Sequence, residues 1–70
     1  MQMLLYAARK KGKRMTQQAV ADYLGISVQQ YRYKEQGKYP FTQDEMFLLS
    51  DLFGKRMDEL FQRRNEEETI

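Results

Sequence analysis

An all-α fold, a compact bundle of five short helices, is predicted by three features of the 70-residue sequence. Helix caps recur along the chain, apolar residues repeat at helical spacing, and no segment alternates with period two. The connections left between the helices are short, which confines them to a compact bundle. No internal repeat is visible.

The first helix is expected over residues 3–11, where Leu4, Leu5 and Ala8 form one apolar stripe and Gly12 stands ready to end it. Lys13 and Arg14 then fall in the connection. Thr16 is a good N-cap for a second helix, whose buried face is Val20, Ala21 and Leu24. Gly25 stops that helix by taking the left-handed conformation, so the next helix leaves at a steep angle. Ser27 and Gln30 form a capping box with Ile26 as the preceding apolar residue, and the third helix runs to about Gln36. Gly37 ends it, and Lys38-Tyr39-Pro40-Phe41 is a loop holding the only proline. Thr42 and Glu45 form a second capping box for a fourth helix, with Met46, Leu49, Leu52 and Phe53 at helical spacing up to Gly54. A short fifth helix is expected over 57–61. One domain therefore occupies 1–61, and 62–70, with Glu66, Glu67 and Glu68, is expected to be a polar, frayed tail.

Composition excludes several functions. Without cysteine there are no disulfides or thiolate metal sites, and without histidine the usual general base and commonest metal ligand are missing. The carboxylates Asp22, Asp44, Glu45, Asp51 and Glu59 are explained by caps and solvated faces, and no nucleophile has a base beside it. No enzyme, no cofactor and no small-molecule substrate are expected. The apolar start of the chain is followed by charge rather than preceded by it, which fits neither a secretory signal nor a membrane span, so a cytoplasmic protein is expected.

Charge is distributed unevenly. Residues 1–41 carry eight basic and two acidic side chains, a balance of +6, whereas 42–70 carry four basic and eight acidic, a balance of −4. A basic first half suits a polyanion, because cations near phosphates release condensed counterions.

Thr16 to Gly37, TQQAVADYLGISVQQYRYKEQG, is the informative stretch. Two helices joined at a glycine corner are what a helix-turn-helix needs, with the small Ala21 letting them cross closely. Together with the basic first helix, the PFTQDE start of helix four and DLFGKRMDELF, it resembles the Xre family, the Cro and repressor type of helix-turn-helix regulator, over nearly the whole chain. YRYKEQG followed by PFT looks especially like short regulators of phage and prophage origin.

The resemblance implies sequence-specific binding of an operator in double-stranded DNA, usually as a repressor, with helix three in the major groove. It implies that Val28, Gln29, Arg32 and Tyr33 face the bases. A glutamine amide can bond adenine N6 and N7 together, Val28 can touch a thymine methyl, and Arg32 can pair with guanine or hold a phosphate. Gln17 matches a glutamine that meets a phosphate through its backbone amide and braces a recognition side chain, with Ser27, Lys38, Tyr39, Lys10 and Arg14 as further phosphate contacts, and Arg9 and Lys13 as candidates. Many relatives place an arginine six residues before the helix-two cap, paired with the glutamate at Glu35. Here that position is Lys10, which implies a weaker, monodentate Lys10–Glu35 pair.

Tyr31 stands where relatives carry isoleucine or valine, and is expected to bury its ring with the hydroxyl at the edge. Lys34 is expected to lay its stem over the core and send its charge to solvent or phosphate. Met46, Phe47, Leu49, Phe53, Met57, Leu60 and Phe61 read as core, with Met57, Leu60 and Phe61 also a homodimer surface, since a two-fold protein suits a pseudo-palindromic operator. The alternative is a protein-interaction module on the same scaffold, an antitoxin-like or anti-repressor partner, because fold does not fix function.

Overall fold

The computed structural model describes residues 1–61, and the tail expected at 62–70 lies outside the described residues. Helix α1, Met3–Ala7, widens into a π-helical stretch, Ala8–Lys13. It is followed by α2, Gln17–Leu24; α3, Val28–Glu35; α4, Gln43–Phe53; and α5, Met57–Leu60. Among the described residues there is no strand.

The helix starts follow the local chemistry. Thr16, Ser27 and Thr42 sit in extended backbone, and each hydroxyl accepts from the amide three residues on, at 3.0, 3.0 and 3.1 Å. The side chains of Gln30 and Glu45 accept in return from the amides of Ser27 and Thr42, completing both expected capping boxes.

The first helix differs from expectation. Gly12 does not end it; the helix passes through Gly12 and Lys13 and turns at Arg14, which is left-handed at φ 55° and ψ 44°. The cause is the widened turn. Its extra residue lets the Arg9 carbonyl accept from the amides of both Arg14 and Met15, so the stop falls beyond the glycine. Leu5 and Ala8 are buried as expected, but Leu4 is largely exposed.

Every element contributes to one core. Leu5 and Ala8 meet Val20 and Ala21 from α2, Tyr31 from α3, Leu49 and Phe53 from α4, and Leu60 from α5. Phe41, in the loop, is buried too, with its ring 6.0 Å from Tyr31 and 5.5 Å from Phe61. Phe47 was expected in the core and is instead 51% exposed. It lies two residues from buried Leu49, about 200° around the helix, and so faces the opposite way. Leu60 is fully buried and has no surface to offer a second copy, whereas Met57 and Phe61 are half-buried.

A carboxylate is enclosed with these hydrocarbons. Glu35 is 1% exposed and accepts from Arg9 Nε at 2.7 Å, Arg9 Nη2 at 3.1 Å, Gln17 Nε2 at 2.9 Å and the Tyr31 hydroxyl at 2.9 Å. The third guanidinium nitrogen donates to the Met15 carbonyl at 3.0 Å. Among the described residues no buried side-chain polar atom lacks a partner. The Tyr31 hydroxyl is therefore interior, not at the edge as expected, because the carboxylate supplies an acceptor inside.

Burial by itself would raise the Glu35 carboxyl; the hydrogen bonds from Arg9, Gln17 and Tyr31 and the charge of Arg9 outweigh it and hold the group below the usual carboxylate range. Glu45 behaves alike, with Lys34 and the Thr42 amide overcoming its burial. Tyr31 is pushed far upward, first by burial and then by the Glu35 charge, so it stays a donor.

A carboxyl whose folded pKa is depressed stabilises the fold above its ordinary range and loses that contribution as the pH falls through the folded value. The melting temperature should therefore decline as the pH drops below about 4.5, the ordinary value for both groups, and Glu45→Gln should remove part of the decline. Glu35→Ala strands a buried guanidinium and should cost about 3–5 kcal/mol in urea unfolding. A flat pH profile together with a mild Glu35→Ala effect would contradict this account.

Candidate functional site

The corner between α2 and α3 is built by backbone chemistry. Gly25 is left-handed at φ 76°, its amide donates to the Asp22 carbonyl at 3.2 Å, and the Ile26 amide donates to the Ala21 carbonyl at 3.0 Å. This pair of bonds closes α2 and aims the chain into the Ser27 cap. Ala21 is fully buried beneath the crossing, where its small side chain lets α2 and α3 approach.

α3 is two-sided. Tyr31 and Glu35 face the core, Gln29 is exposed, and Arg32 and Tyr33 are half-buried beside it. Val28 is half-buried against the core, and Ser27 is exposed with its hydroxyl engaged by the Gln30 amide.

Gln17 links core to surface. Its amide nitrogen donates to Glu35, and its carbonyl oxygen accepts from Arg32 Nε at 3.3 Å. Arg32 is thus tethered, through one glutamine, to the buried ion pair. Farther along α3, the Gln29 amide donates to the Tyr33 hydroxyl at 2.7 Å. The Tyr33 ring meets Tyr39 edge-on at 5.6 Å, and the Lys38 ammonium lies 5.1 Å from the Tyr33 ring centroid. Lys38 and Tyr39 of the loop are themselves exposed.

Two expected charge assignments are corrected. Glu35 pairs with Arg9, bidentately, and not with Lys10, which is exposed and lies 5.8 Å from the Tyr6 ring centroid. Arg9 precedes Thr16 by seven positions instead of six; a π-helical turn is the usual way a helix absorbs one extra residue, and the one at Ala8–Lys13 brings Arg9 inward. Arg9 is consequently buried and engaged by Glu35 and the Met15 carbonyl. Lys34, expected to reach solvent or phosphate, holds Glu45 at 2.6 and 2.8 Å, tying α3 to the start of α4.

Exposed charge remains on the outside. Lys10 and Arg14 line an open depression with Tyr6, Thr16 and Gln17 at the start of α2. Lys10, Lys11, Lys13, Arg14 and Lys38 are exposed, and among the described residues none lies within salt-bridge distance of a carboxylate. Cations near a helix N-terminus and its unpaired amides form a surface suited to an anion.

Sequence reasoning missed the Arg9–Glu35 pair, the Lys34–Glu45 pair and the Gln29–Tyr33 bond. The last was findable, since side chains four apart on a helix are neighbours. Lys34 and Glu45 lie on different elements, and nothing local announces them.

A family model described as helix-turn-helix matches residues 5–60, well over half of the chain. No curated protein and no solved structure matches it. No helix of the described residues is long and apolar enough to cross a membrane.

Two backbone positions give a paired test. A left-handed residue with a side chain costs about 1–2 kcal/mol. Arg14→Gly should relieve that strain and raise the urea midpoint, whereas Gly25→Ala, with open space around the new methyl, should lower stability by about 1–2 kcal/mol. Shifts of the same sign would show that these turns are not held as described.

Proposed function

Because the chain belongs to the helix-turn-helix family of DNA-binding regulators, of the Cro and repressor type, we propose that it represses transcription by occupying an operator, with α3 lying in the major groove. The observation that carries this reading is the division of α3 into a buried back, Tyr31 and Glu35, and a polar front, Gln29, Arg32 and Tyr33, presented beyond the Gly25 corner. Catalysis has no part in it.

Gln29 is the principal base reader in this proposal, with Val28 against a thymine methyl and Tyr33 beside them. Arg32, steered by Gln17, takes a guanine or an adjacent phosphate. The α2 N-terminus at Gln17, with Lys10 and Arg14, grips one stretch of backbone, while Ser27 and the Lys38-Tyr39 loop grip another. The exposed cations described above support these roles, since phosphate contacts supply most of the affinity and none of the sequence information.

A homodimer completes the reading, two copies spanning half-sites about one helical turn apart. The half-buried Met57 and Phe61 are the side chains offered for that contact, with Leu60 anchoring α5 from within.

Affinity for a duplex chosen from a random pool should fall steeply between about 50 and 200 mM salt. Gln29→Ala should cost about 1–3 kcal/mol and relax the preference at one base pair. If Gln29→Ala combined with Arg32→Ala leaves operator binding intact, α3 is not the reading element. Sedimentation on operator DNA should give two copies per site, and Met57→Asp should weaken that assembly; one copy per site at tens of micromolar would remove the dimer.

A further inference from the structure

Gln29 is exposed on α3, and a free glutamine there would sample several rotamers and both faces of its amide. Here it is restrained. Its nitrogen donates to the Tyr33 hydroxyl at 2.7 Å, one turn farther along the helix. Tyr33 is itself held from the loop side, by the Tyr39 ring edge-on at 5.6 Å and the Lys38 ammonium 5.1 Å from its centroid. The hydroxyl that receives the Gln29 amide is thereby fixed by residues that follow the helix.

The orientation has a chemical consequence. With one N–H committed to Tyr33, Gln29 keeps one N–H and the lone pairs of its carbonyl oxygen for another partner, a donor beside an acceptor. That pair complements adenine in the major groove, whose N7 accepts and whose N6 amino group donates. Guanine offers two acceptors, N7 and O6, and leaves the glutamine oxygen facing another oxygen. The opposite amide orientation would show two donors and select guanine.

We propose that Tyr33, braced by Tyr39, is a positioning residue that sets the amide of Gln29 for adenine and against guanine at one operator position. The proposal rests on the reading of α3 as the base-contacting helix and adds to it how selectivity is set. Losing the preset amide orientation lets Gln29 turn over for guanine and corresponds to about a two- to tenfold change in discrimination, about 0.4–1.4 kcal/mol.

The operator position is first identified as the one whose preference disappears in Gln29→Ala. Duplexes carrying adenine or guanine there are then titrated with the wild-type protein, Tyr33→Phe and Tyr39→Leu, at two salt concentrations, alongside urea unfolding and the Gln29 side-chain amide resonances in DNA-free protein. Tyr33→Phe keeps the ring and removes the hydroxyl. It should retain the urea midpoint and the salt dependence, shift the Gln29 amide resonances, and reduce the adenine preference by about two- to tenfold. Tyr39→Leu should act in the same direction more weakly. An undiminished preference in Tyr33→Phe, unmoved Gln29 resonances, or a wild-type preference for guanine would each overturn the proposal while leaving DNA binding by α3 in place. Failure of the wild-type protein to bind any duplex would instead sink the regulator reading, and this proposal with it.

Discussion

A carboxylate that cannot reach water organises this small protein. Glu35 ends α3 inside the core, and its two oxygens receive four donors from three elements: Arg9 from the first helix, Gln17 from the start of α2, and Tyr31 from α3 itself. An ion enclosed in hydrocarbon is tolerable only when it is paired and its remaining lone pairs are filled. The three elements therefore hold one mutual arrangement or the charge is stranded. Apolar packing of a few short helices does not define their orientation so sharply, and a core with nine buried hydrophobic residues among the described residues has little stability in reserve.

The same network reaches the surface. Gln17 spends its amide nitrogen on Glu35 and its oxygen on Arg32, so a side chain on the outer face of α3 is steered by the buried pair. At the other end of the front, Gln29 leans on Tyr33, which leans on the loop after the helix. Tying side chains in advance matters to a protein that distinguishes similar surfaces, because rotamers already ordered need not be ordered at binding. Electrostatics is divided accordingly. Arg9 and Lys34 are consumed internally by Glu35 and Glu45, while Lys10, Lys11, Lys13, Arg14 and Lys38 remain outside. Two of the eight basic side chains in the first half of the sequence are thus consumed internally, and its basic excess overstates the outward charge by one.

Much of the architecture was legible from local chemistry. Thr16, Ser27 and Thr42 announced three helix starts, Gln30 and Glu45 closed two of them, and Gly25 marked the corner, because each acts within a few residues of itself. The candidate site was legible to the same depth, since a polar front beyond a glycine corner follows from helical periodicity. Its internal bonds were not. Periodicity does not place Phe47, because its helix carries apolar residues on more than one face, and it does not show that Leu60 fills its own core.

What the amino-acid sequence determined alone is the set of helices, their caps, the corner, the helix-turn-helix family and the polar character of α3. What the tertiary structure decided is which cation neutralises Glu35, where the first helix stops, and which front residues restrain one another. Arg9 and Lys10 are adjacent cations with nearly equal local claims. The choice between them depends on the angular phase left after a π-helical turn and on a carboxylate 26 positions away. Caps and periodicities involve residues near in sequence, whereas a buried ion pair is selected by the geometry of elements that meet only once the chain has folded.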